Sequence, residues 1–437
     1  MENMILVLPF VLLLGLIALG PILLTSLWHK YYKIISFALG FFVIIIYLGH
    51  QESFEVTKTF SEYFSFISLL FSLYVVSCGI YIFSEKKATP LVNAVFLFLA
   101  AIITNFIGTT GAAVLLIRPY LRLNRYHVKP YHIIFFIFIV CNIGGMLTPL
   151  GDPPLFLGYL KGIPFFWNLK NTFHIWLFSI ISLLSIFFIF DYFDAKNRDF
   201  KEETLLAHDK IIIKGKRNFL GLFIILVALF LDPKIFTFLP VIKIGQVEVS
   251  FVREIIMLLT SGICYFGANK NALLANNFSF EPILEVVFIF FGLFFTMMPA
   301  LALVYDFAAN PVYHNYLTHS LLYWATGFLS SMLDNAPTYL SFLTAAMAKS
   351  GLDINSPTDI PVFLATNANQ IVLVAISVAS VMFGAFTYIG NGPNFLIKAI
   401  AEKEGIKMPS FFTYVVRYSL VYLLPLFFLV WLIFIKH

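Results

Sequence analysis

The sequence predicts an all-α polytopic membrane protein arranged as an inverted-topology repeat, with about ten transmembrane helices, two re-entrant hairpins and two broken helices. Three observations carry this reading. Of 437 residues, 60% are hydrophobic and 12% charged, against about a quarter charged in soluble domains. Apolar stretches such as Met4–Trp28, Phe173–Phe190 and Phe411–Ile435 reach the roughly 17–25 residues that a membrane-spanning helix needs. Two Gly/Pro-rich motifs, far apart in the chain, also align without gaps.

In chain order, crossings are expected near 4–28, 32–49, 64–84, 131–157, 173–193, 217–232, 252–268, 281–304, 362–390 and 411–435. The first apolar run lacks a basic leader and exceeds the roughly 7–15 residues of a signal-peptide core, so it is read as a retained span. Segments 90–117 and 317–348 are apolar but interrupted midway by polar residues. Each is too long for one ordinary span and too short for two, which fits a hairpin that enters and leaves on one side. Cys78, Cys141 and Cys264 fall inside apolar segments without paired spacing, so neither a disulfide frame nor a metal site is indicated. The mixed-charge stretch around 194–217 reads as a solvated linker. The expected organisation is a first repeat over 1–200 (hairpin 90–117, broken helix 131–157), a cytoplasmic linker over 201–216, and a second repeat over 217–437 (hairpin 317–348, broken helix 362–403).

The distribution of Lys and Arg tests this plan, because cytoplasmic loops carry an excess of both. With the N-terminus outside, 20 of the 28 basic residues fall inside and 8 outside. Treating 90–117 as a full crossing would spoil that split. Both termini are therefore expected on the periplasmic side of a bacterial inner membrane.

Residues 144–157 read GGMLTPLGDPPLFL and 383–396 read FGAFTYIGNGPNFL. They share Gly145/Gly384, Thr148/Thr387, Gly151/Gly390, Pro154/Pro393, Phe156/Phe395 and Leu157/Leu396. Each follows a hairpin with a polar tip, TNFIGTTGAAVLL at 104–116 and LDNAPTYLSFL at 333–343. With five crossings per half, the second copy starts on the opposite side from the first. That is the inverted-repeat plan of many secondary transporters, whose sites lie near the midplane between repeats.

The motifs place chemistry at that midplane. Gly151-Asp152-Pro153-Pro154 and Gly390-Asn391-Gly392-Pro393-Asn394 should break their helices, exposing backbone groups that only a protein-lined or wet cavity tolerates. At the hairpin tips Asn105, Thr109 and Thr110 oppose Asp334, Asn335 and Thr338, all oxygen donors of the type hard cations prefer. Asp152 and Asp334 are ionisable groups in apolar surroundings, where a charge is costly and marks function by default. Each could hold Na⁺ when ionised and a proton when not, which is the minimal chemistry of antiport. An Asp before Pro is equally a good helix N-cap, though Asn391 caps its copy without a charge. Asn142, Ser330, Ser331, Asn367, Asn369 and Gln370 lie beside the motifs and suit either path lining or helix joining. No catalytic triad, nucleotide loop or metal-ligand spacing is present, so no enzyme activity, cofactor or nucleic-acid partner is expected.

TPLGDPP at 148–154 and LDNAPT at 333–338 resemble motifs of the ion transporter superfamily, which includes NhaD-type sodium/proton antiporters, arsenite permeases and citrate or dicarboxylate carriers. The resemblance implies a scaffold plus a mobile transport domain, a homodimer, and elevator-type alternating access. By motif it assigns ion handling to Asp152 and to Asp334-Asn335, with Asn105, Thr109, Thr110, Thr148, Thr338, Thr387, Asn391 and Asn394 beside them. The two acids favour the NhaD-type pattern, hence Na⁺ or Li⁺ exchange for H⁺ across the bilayer, with arsenite or organic-anion (citrate/dicarboxylate) transport as the alternative. Asp152-Pro153-Pro154 departs from the NhaD-type pattern toward that of arsenite permeases.

Overall fold

The computed structural model describes residues 2–84, 88–196, 211–231, 233, 236, 238–244, 247–276, 278–356 and 358–436. Among them, eight helices are long and apolar enough to cross a membrane. Helices α1 (Glu2–Leu23) and α2 (Thr25–Gly49) meet at a corner on Leu24, so the expected break near 29–31 lies earlier. Trp28 folds back over Gly20 there, and a Cβ on that glycine would sit 2.9 Å from the indole. Helix α3 (Ser53–Cys78) stops short of the expected residue 84, because Tyr81–Ser84 forms strand β1. Its partner is strand β2 (Ile211–Lys214), paired antiparallel, which ties the end of the expected linker back to the first half. Residues 201–210 of that linker lie outside the described residues.

Helix α4 (Pro90–Leu123) is one continuous element by hydrogen bonding but not in direction. Gly108 adopts φ 78° and ψ 158°, a conformation open to glycine alone without strain. A straight helix would hold Asn93 and Asn124 about 46 Å apart. Instead the two amides exchange hydrogen bonds of 2.9 Å in each direction, and the Phe96 and Tyr120 rings stack at 5.1 Å. The segment is a re-entrant hairpin, extending to Leu123 rather than to 117.

A broken span comes next: α5 (Pro130–Ile139), a 3₁₀ turn (Ile143–Leu147) and α6 (Pro153–Lys161). The run from Ile133 to Cys141 is wholly buried, which explains an α5 that is apolar all round. Helix α7 (Trp167–Lys196) then crosses unbroken. Helices α8 (Lys216–Ala228) and α9 (Val252–Phe266) occupy two of the expected crossings with 13 and 15 residues. At about 20 and 23 Å they are shorter than the roughly 30 Å hydrocarbon core. The small pair β3 (Ile242–Ile244) and β4 (Val247–Val249) lies between them.

The second half continues with α10 (Lys270–Ala275), α11 (Glu281–Ala309), α12 (His319–Met332) and α13 (Asn335–Lys349). Helices α12 and α13 form the second hairpin: Lys349 Nζ donates to the Leu317 carbonyl at 2.7 Å, closing its base. The second broken span comprises α15 (Asn367–Met382), a 3₁₀ turn (Phe383–Phe386) and α16 (Gly392–Lys403), preceded by the short α14 (Asp359–Leu364). The last crossing is α17 (Phe411–Ile435).

The hairpins open to opposite ends of the molecule, and α7 measures this. Asn93 at the first hairpin's base donates to Asp191 near the end of α7, at 2.8 Å. His319 at the second hairpin's base lies 3.3 Å from the Lys436 carbonyl, and Phe434 packs on His174 near the start of α7 at 5.2 Å. His174 and Asp191 are about 26 Å apart along that helix. The two hairpins therefore point their tips at each other, with both broken spans passing between them.

Candidate functional site

The two breaks have the same backbone. Each 3₁₀ turn ends on an extended threonine, Thr148 (φ −135°, ψ 157°) and Thr387 (φ −133°, ψ 166°). Each following half-helix starts from an extended cap residue, Asp152 (φ −144°, ψ 143°) and Asn391 (φ −147°, ψ 136°). The repeated threonines also make the same contact. Thr148 Oγ1 donates to the Asn105 carbonyl at 2.5 Å and Thr387 Oγ1 to the Ser331 carbonyl at 2.6 Å, each pinning a hairpin just before its tip. The repeated glycines close the loops by backbone contact. A Cβ on Gly151 would lie 2.0 Å from the Gly145 carbonyl oxygen, and one on Gly390 would lie 2.7 Å from that of Gly384.

Asp152 sits where these elements converge, 1% exposed. Its Oδ1 accepts from Thr109 Oγ1 of the first hairpin tip at 2.9 Å and from Asn391 Nδ2 of the second broken span at 3.2 Å. Its Oδ2 accepts from Asn335 Nδ2 of the second hairpin tip at 3.1 Å. Three of the four symmetry-related parts thus place a neutral donor on an acid supplied by the fourth. The Asp152 side chain makes no capping bond to α6, and among the described residues it has no cationic partner.

Two residues outside the motifs hold these donors in place. Ser330 Oγ lies 2.5 Å from Asn335 Oδ1 and 2.6 Å from the Ser380 carbonyl, which ties the second tip to α15. Asn142 joins the halves, donating to Asn394 Oδ1 at 2.8 Å and accepting from Asn391 Nδ2 at 3.2 Å. Sequence offered only their proximity to the motifs as a signal.

The remaining expected site residues are placed differently. Asp334 is half-buried and caps α13, its Oδ1 accepting from the Ala336 N–H at 3.0 Å; Thr338 Oγ1 donates to the Asp334 carbonyl at 3.0 Å. Asn105 donates to the Gly144 carbonyl at 2.7 Å and accepts from the Leu147 N–H at 2.9 Å, so it binds the hairpin to the broken span. Asn394 donates to the Gly384 and Thr387 carbonyls at 2.8 and 2.9 Å. Thr110 lines a small cavity beside the first tip together with Gly108, Thr109 and Gly151. None of these last residues has a hydrogen bond to Asp152. Among the described residues no three His, Cys, Asp or Glu side chains group as a metal site.

Beyond the chain itself, a family model described as "Putative citrate transport" matches residues 1–435. No curated protein matches the sequence.

Proposed function

Because the chain belongs to this citrate transport family of membrane transporters, we propose that it is a secondary transporter of citrate-like polycarboxylates in which Asp152 carries the coupling cation. Asp152 bears the argument: a buried carboxylate with three neutral donors and no cationic partner among the described residues. Leaving such a charge uncompensated inside a membrane costs several kcal/mol, so H⁺ or Na⁺ is its natural companion. Around it, the half-helices α6 and α16 begin at Asp152 and Asn391. Helix N-termini carry about half a positive charge and, with backbone and amide donors, suit a carboxylate. An ionised Asp152 repels an incoming substrate carboxylate, while a neutralised one admits it. Cation and anion therefore move together, and movement of the hairpin–broken-span unit as an elevator, in a homodimer, accords with the superfamily resemblance.

Na⁺(Li⁺)/H⁺ exchange is the second reading. It is favoured by Asp152 and Asp334 together with the lack of a basic side chain bonded to either among the described residues; the family description favours the polycarboxylate. Purified protein in liposomes separates them. Under an imposed proton or Na⁺ gradient, saturable uptake of labelled citrate is expected, falling at least 100-fold in Asp152→Asn. If citrate stays outside while Na⁺ or Li⁺ alone dissipates a pH gradient, the protein is an antiporter.

A further inference from the structure

The outgoing half of the first hairpin carries an arginine that the site does not use. Arg118 lies nine residues beyond Thr109, about 13 Å along the helix, toward the hairpin's base. Its Nε and Nη1 are buried and have no hydrogen-bond partner among the described residues. The neighbouring Glu404, just past α16, does not reach it as an ion pair, and the neighbouring Arg122 stacks on the Tyr81 ring at 4.9 Å. Arg118 is partly buried, and two guanidinium N–H groups kept from water without an acceptor are unfavourable until an anion joins them.

One residue stands near both this group and the first tip. The small cavity beside the tip is lined by Gly108, Thr109 and Gly151 together with Tyr74 of α3. Tyr74 is also a neighbour of Arg118. Between them Ser77 Oγ faces Gly111, 3.3 Å from where a Cβ would sit, and it too lacks a partner. The Ser77 hydroxyl and two Arg118 nitrogens thus leave donors without acceptors among the described residues on the side toward the basic face, the face that the Lys/Arg distribution puts in the cytoplasm. We infer that Arg118 receives a substrate carboxylate at the basic-face mouth of the pathway, a site distinct from Asp152. The planar fork of arginine matches a carboxylate bidentately, which lysine cannot do.

This inference rests on the polycarboxylate reading, and its test separates the two. Citrate KM is measured from each face in oriented liposomes for wild type, Arg118→Gln and Arg118→Lys. The expected result is a KM at least tenfold higher for Arg118→Gln from the basic face, partly recovered in Arg118→Lys, with the opposite-face KM within twofold of wild type. An unchanged KM, or an equal rise on both faces without rescue by lysine, overturns the carboxylate role while leaving the transport reading intact. If the face-specific shift disappears in liposomes of zwitterionic lipid alone, Arg118 serves an anionic headgroup and the inference is likewise overturned. Wild type that moves no citrate from either face defeats both.

Discussion

At the scale of single residues, the two central acids are not equivalent. Either could cap a half-helix, yet Asp334 does so through Ala336 while Asp152 turns away from its own helix toward three donors. Asparagine caps a helix about as well as aspartate but has no charge to balance a bound cation and no proton to exchange. Asp334→Asn is therefore expected to keep citrate uptake within a few-fold of wild type, whereas Asp152→Asn loses it; similar losses in both would show that Asp334 also handles ions. A hydrogen bond to a charged group contributes about 1.5–3 kcal/mol, and every 1.4 kcal/mol is tenfold. Thr109→Val, which removes one donor from Asp152 with little change in shape, should lower kcat/KM for citrate by roughly tenfold or more. An effect below twofold would remove Thr109 from the site.

At the scale of elements, each broken span is held by a glycine pair whose backbones touch. An added methyl at Gly151 would meet the Gly145 carbonyl oxygen at 2.0 Å, whereas among the described residues nothing lies within 4 Å of one at Gly392, which opens α16. Overpacking costs about 1–3 kcal/mol and rises where backbone must shift, while Gly→Ala at a permissive helical position gains about 0.4–1 kcal/mol. Gly151→Ala should therefore unfold several degrees earlier than wild type in detergent and lose uptake, and Gly392→Ala should be at least as stable as wild type. If the two melt alike, close packing of the break is not what sets stability there.

At the scale of the whole molecule, the inverted plan makes a claim about sidedness. Tyr126 follows the base of the first hairpin and Ser350 the base of the second, and Tyr126 and Ser350 are both exposed. An impermeant maleimide should label Tyr126→Cys from the cytoplasmic side only and Ser350→Cys from the periplasmic side only. Labelling of both from one side would abolish the opposed-hairpin arrangement, and with it a pathway that opens alternately to either face. Of the three native thiols, Cys78 and Cys141 are buried and should contribute little background, while Cys264 is partly exposed and sets the blank to subtract.

Sequence alone determined the features that local chain chemistry dictates. Long apolar runs have no stable home outside a bilayer, Gly and Pro cannot continue a helix through GDPP or GNGP, and polar tips inside apolar segments force a turn. The repeat was legible because both copies solve the same backbone problem with the same glycines and threonines. Local chemistry was silent wherever the answer needed a partner from elsewhere in the chain. Asp152 meets Asn335 across 183 residues and Asn391 across 239, and no spacing rule reaches that far. The same limit hid Asn142, whose role as a joint between the halves depends on Asn394, 252 residues away. It also hid the corner at Leu24, which depends on Trp28 folding over Gly20, and the shortening of α3, which depends on a strand from beyond the linker. Which acid would cap and which would be left in a nest of donors was decided only by tertiary structure. Both acids have the local sequence of a cap, and only packing four half-helix ends together supplies Asp152 with three other claimants.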